Sequence, residues 1–122
     1  MIKGSALRRG LTCDAVVSAL WLVRHGSTAW SERGRLQGSA PIGLSRDGVC
    51  EAHQIGVRAR RLGITRIWTA PLRRARATAD IVARYVRAPV AVVPALRELN
   101  YGAATGCTMA ELRRSAPALA EA

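Results

Sequence analysis

Phenylalanine is absent from this 122-residue chain, and histidine occurs only twice. Aromatic residues make up 4% of it and are scattered (Trp21, Trp30, Trp68, Tyr85, Tyr101). That spacing does not build the stacking platforms with which basic proteins hold single-stranded nucleic acid. Long apolar runs are also missing. None approaches the roughly 18 to 20 residues that a membrane helix requires, which excludes a helical spanning protein. Cysteine is sparse and odd in number, with Cys13, Cys50 and Cys107 far apart. They fit neither a paired disulfide framework nor C-x-x-C metal spacing, and read as unconnected thiols in a reducing, cytoplasmic setting.

Acidic residues are few, and arginine is what the chain holds in quantity. Lys+Arg number 19 against 8 Asp+Glu, a formal charge of +11, with Lys3 the sole lysine. Hydrophobic residues at 49% suffice for a core, so wholesale disorder is excluded, and the length allows one domain. A basic excess fits a nucleic-acid partner, an anionic surface, phosphorylated substrates or simply an arginine-rich composition. The arginines are spread (Arg8-Arg9, Arg58 to Arg61, Arg73 to Arg76, Arg113-Arg114) rather than gathered with aromatics, which disfavours nucleic acid.

Residues 1–18 read as an amino-terminal extension, loosely packed, and not as a signal peptide. Their apolar run leads into the most informative residues of the chain rather than to a small-residue cleavage site. Residues 19–23 have the pattern of a short strand buried on both faces. Residues 30–43 read as a long loop. Ser45 caps a helix predicted to run to about Leu62, where Gly63 stops it. A second strand is expected over 64–69, and a helix from Pro71 to Arg87 with Pro71 in its first turn. A third strand is expected over 90–94. Thr108 with Glu111 makes a capping box for a last helix, which Pro117 limits. Strand alternating with helix predicts an α/β fold, a three-layer α/β/α arrangement around a mostly parallel sheet. Functional groups in such sheets gather at the carboxyl ends of the strands. Those ends deliver Arg24-His25, then residues 69–74, then Arg97-Glu98.

Each of these has chemistry to offer. An imidazole just past a strand is a competent nucleophile toward phosphorus when a hydrogen bond sets its tautomer. An adjacent guanidinium grips phosphate oxygens in pairs. Arg74, in the first turn of a helix, sits where a cation is mildly unfavourable unless an anion lies before it. Glu98 can protonate a leaving oxygen, or can simply pair with an arginine. His53, inside the first helix, reads as structural or surface.

Taken together and in order, these segments resemble the histidine phosphatase superfamily, the phosphoglycerate mutase-like family. Leu22-Val23-Arg24-His25-Gly26-Ser27-Thr28-Ala29-Trp30 is similar to its nucleophile motif, and Gly34-Arg35-Leu36-Gln37-Gly38 to the loop that follows. Residues 70–79, which hold Arg73-Arg74, resemble its second arginine motif, and residues 96–102 the segment with its acid. The resemblance implies that His25 becomes phosphohistidine, Arg24 and Arg74 bind the phosphate, and Glu98 is the proton donor. Thr28, Gln37 and Gly38 are then expected to bind substrate. No metal and no cofactor is implied.

The departures are specific. The family's second catalytic histidine has no counterpart, since His53 stands in the wrong context. Residues 19–122 are therefore expected to form only the front portion of the domain, apparently truncated at the carboxyl end. Removing one such donor costs on the order of 100 to 1,000-fold in rate. Pro41 and Gly43 replace the usual aspartate and proline of the loop, Ser31 a common asparagine, and Ala103 to Thr105 more polar residues. A phosphomonoester hydrolase is the leading reading, favoured over a mutase by Leu99 after Glu98. Phosphoglycerate mutase-type phosphotransfer, a truncated phosphate-binding remnant of low activity and, more distantly, a nucleic-acid binder are the alternatives. A phosphorylated small molecule is the expected partner, no membrane is, and an unpaired sheet edge offers a route to self-association.

Overall fold

The computed structural model describes residues 2–5 and 19–121. Strand β1 (Ile2–Ser5) pairs antiparallel with β2 (Leu20–Val23), with Ile2 opposite Val23 and Ser5 opposite Leu20. A short helix α1 (Ala29–Glu32) precedes α2 (Arg46–Ala59). Then β3 (Ile67–Thr69), α3 (Arg73–Val86) and β4 (Val90–Val92) form a parallel crossover unit, with Ile67 opposite Val90 and Thr69 opposite Val92. Two 3-10 turns (Pro94–Leu96 and Gly102–Ala104) lead to α4 (Met109–Ser115) and α5 (Pro117–Ala120). The fold is α/β with a parallel ladder, as its alternating pattern predicts.

Local chemistry accounts for the helix starts. The Ser45 hydroxyl accepts from the Gly48 N–H at 3.1 Å. Thr108 and Glu111 close a capping box, with the Glu111 N–H on the Thr108 hydroxyl at 3.1 Å and the Thr108 N–H on the Glu111 carboxylate at 2.8 Å. Pro71 lies one residue before Leu72, the N-cap of α3, and so ahead of the first turn rather than in it. Helix α2 ends at Ala59, earlier than the sequence suggests, and passes through a turn to Gly63 at φ +62. The expected loop over 30–43 begins instead within α1, because Thr28 and Ser31 cap each other's backbone in a second box. Pro117 opens α5 where it was expected only to bring the last helix to an end.

Packing departs from expectation at β2. A strand buried on both faces was expected, yet Leu20, Leu22 and Val23 are 49%, 63% and 42% exposed. Among the described residues β2 is hydrogen-bonded only to β1, and not to β3 or β4. Strands consecutive in sequence are neighbours in a sheet only about two-thirds of the time. The described core lies instead between the helices and under α3, in Ala52, Ala59, Leu72, Ala79, Val82 and Ala88, with Leu112 buried in α4. Small side chains there let α2 and α3 approach closely, and α3 also lies on β3 and β4.

Candidate active site

The loop after β2 is built by close backbone contact. Its Gly26 lies against α2 so tightly that a Cβ there would stand 2.3 Å from the Gly48 carbonyl oxygen, and one on Gly48 would stand 1.9 Å from that of Ser27. Only glycine permits such an approach on both sides. The Ser45 N–H donates to the Ser27 carbonyl at 2.9 Å. The Ser27 N–H and hydroxyl donate to the Glu51 carboxylate at 2.7 and 2.9 Å. From the other side the Gly26 N–H donates to the Thr78 hydroxyl at 3.1 Å, and that hydroxyl donates to the Arg74 carbonyl at 2.9 Å. His25 thus emerges from a loop held by both long helices.

His25 meets Arg74. The Nδ1 of His25 lies 2.8 Å from the Gly26 carbonyl oxygen, which can only accept, so Nδ1 carries the proton. Arg74 Nε–H, which can only donate, points at His25 Nε2 at 3.2 Å. The two partners together define a neutral ring whose Nε2 lone pair faces the guanidinium. Burial holds the His25 pKa below the ordinary imidazole value of 6.5; the Arg74 and Arg24 charges lower it further, against the Gly26 carbonyl and Glu98.

Arg74 itself is 0% exposed. Its Nη1 donates to the Ala40 carbonyl at 3.2 Å, and Nη2 to the Gly38 carbonyl at 2.7 Å and to the Glu98 carboxylate. Three of the expected residues, His25, Arg74 and Glu98, therefore share one cluster. Arg24 is exposed and, beside His25, lines a hollow of about 330 Å³ together with Arg58 and Glu51.

The three residues expected to touch substrate lie in the loop beside this cluster. Thr28 is 0% exposed; its hydroxyl donates to Gln37 Oε1 at 2.7 Å and accepts from the Ser31 N–H at 3.0 Å. Gln37 is 6% exposed, and the Gly38 carbonyl is taken by Arg74. The Thr28 hydroxyl, the Gln37 Oε1 and the Gly38 carbonyl are thus engaged inside the loop. The loop is stitched to α4 by Arg35, which donates to the Gly106 carbonyl at 2.6 Å and to Glu111 at 3.1 Å. Sequence reasoning passed over Thr78, although it lies one turn after Arg74 on the same helix face. His53 is structural, with its Nδ1 2.8 Å from the Tyr85 hydroxyl.

Comparison with known proteins gives the family and the fold. The profile of the histidine phosphatase superfamily (branch 1) matches residues 20–122. A probable phosphoglycerate mutase GpmB of Erwinia tasmaniensis is 43% identical over 83 residues, 68% of this chain and 39% of that protein. A mycobacterial glucosyl-3-phosphoglycerate phosphatase in complex with VO3 superposes with a TM-score of 0.73 at 30% identity, over 76% of this chain and 44% of that one. A phosphoserine phosphatase of Entamoeba histolytica in complex with 3-phosphoglyceric acid gives 0.66 at 28% identity, over 73% and 44%. The chain spans about two-fifths of the length of the curated relatives it matches.

Proposed function

This chain belongs to the histidine phosphatase superfamily, and from that premise we propose that it is a phosphomonoester hydrolase in which His25 takes the phosphoryl group and passes it to water. The observation that carries the reading is the meeting of His25 Nε2 with the buried guanidinium of Arg74 beside Glu98. The lone pair on Nε2 attacks phosphorus, and the O–P bond to the leaving group breaks. Arg74, joined by Arg24, neutralises the charge on the phosphoryl oxygens, and protonated Glu98 gives its proton to the departing alkoxide. Water then attacks the phosphohistidine. Thr28, Gln37 and Gly38 act through the loop they hold, by keeping the guanidinium aimed. Residues 19–122 are proposed as a partial domain, with 1–18 an extension to it, and a cytoplasmic location belongs to the same proposal.

Phosphoglycerate mutase-type transfer is the second reading, favoured by the name of the Erwinia relative. In either case turnover is expected to be low, because the chain spans 39% of that relative and holds no counterpart of the second catalytic histidine. The test is hydrolysis of 4-nitrophenyl phosphate by the whole chain. The His25→Ala variant is expected to lose about 1,000-fold or more of that rate. Hydrolysis that survives the substitution sinks the assignment, and vanadate binding without turnover marks the low-activity remnant.

A further inference from the structure

Arg74 has most of its hydrogen-bonding capacity in use. A guanidinium has five N–H donors, and four of them are committed: to His25 Nε2, the Ala40 carbonyl, the Gly38 carbonyl and the Glu98 carboxylate. The two carbonyls are backbone groups fixed in the loop. Glu98 differs from them: it follows a 3-10 turn, and its side chain is 37% exposed, so it can swing away. An anion arriving at His25 Nε2 therefore meets an arginine that already carries one. Two negative groups sharing a single buried cation repel, and the mobile one is relieved by taking a proton.

We propose that the carboxylate of Glu98, paired with Arg74, is displaced from it by a tetrahedral dianion while a proton from solvent moves onto Glu98. The inference rests on the phosphate-site reading above and adds the origin of the acid's proton: binding itself loads it. The balance closes over a cycle. Carboxylate plus proton gives the carboxylic acid; its O–H bond breaks as the ester O–P bond breaks, and the proton leaves on the alcohol. The carboxylate then returns to Arg74. The charged and titratable groups around Glu98 are Arg74 on α3 and His25 after β2, with Arg24 beside His25. His25 is the competing acceptor for the proton.

The test is calorimetric titration of the whole chain with inorganic sulfate, a dianion that does not itself titrate in mild acid, in buffers of different ionisation enthalpy. Wild type is expected to take up about one proton per sulfate bound, with affinity rising about tenfold per unit fall in pH. The uptake should persist in His25→Asn. In Glu98→Gln it should vanish, and sulfate should bind more tightly than to wild type, because no resident charge has to be displaced. Sulfate bound by wild type without proton uptake overturns the inference alone, as does uptake that survives Glu98→Gln. Absence of any sulfate binding overturns the phosphate-site reading and the inference with it.

Discussion

For His25, protonation decides whether there is a nucleophile. Its pKa is lowered from 6.5, chiefly by burial, so the neutral ring persists further into acid than a free imidazole would. The acid limb of kcat/KM against pH is therefore expected below 6.5, and a limb at or above that value would contradict the assignment. Stability follows with the same sign. As pH falls through 6.5 the unfolded chain binds its proton first, so the cost to folding grows until the lower folded value is reached and is constant beyond it. Urea unfolding across that window, compared with His25→Asn, reads this cost directly. The arginine facing the ring was legible at the residue scale because it follows a proline-marked helix start. Its carbonyl partners were not, since Gly38 and Ala40 lie 36 and 34 positions away and backbone acceptors leave no trace in residue type.

At the scale of elements, the contact between α2 and the loop after β2 is the tightest glycine contact in the described structure. Alanine in place of Gly48 improves helix propensity by about 1 kcal/mol. It also drives a Cβ to 1.9 Å from the Ser27 carbonyl, which only a shift of loop or helix relieves. Gly48→Ala is therefore expected to lower the midpoint of thermal unfolding in spite of the propensity gain; a raised midpoint would show that this contact does not constrain the loop. The caps at Ser45 and Thr108 were legible because a hydroxyl three residues before the N–H it accepts from is a purely local signal. Helix α1 was missed because its box closes with Ser31 where glutamate or glutamine is usual. The exposure of β2 was missed because an apolar run reports the burial a strand can use, not which neighbours cover it.

Over the whole molecule, apolar side chains that a sheet would normally bury face solvent: Leu22 at 63%, Trp68 at 54% and Val92 at 43%. Exposed apolar strands and unpaired edges favour association with other chains. Sedimentation velocity is expected to show association that grows with concentration. Leu22→Lys is expected to weaken it about tenfold or more, the equivalent of about 1.4 kcal/mol. A monomer at every concentration would mean that these faces do not pair. Here too the extension matters. Strand β1, which precedes the family-matched stretch, supplies the one ladder partner that β2 has among the described residues.

That pairing has a practical side. Ile2 lies in register with Val23, two positions before His25. A purification tag fused ahead of residue 2 would start close to the proposed phosphate site, and a polyhistidine tag would crowd it with foreign imidazoles. Enzymology on this chain is best done with the tag at the opposite terminus or cleaved off.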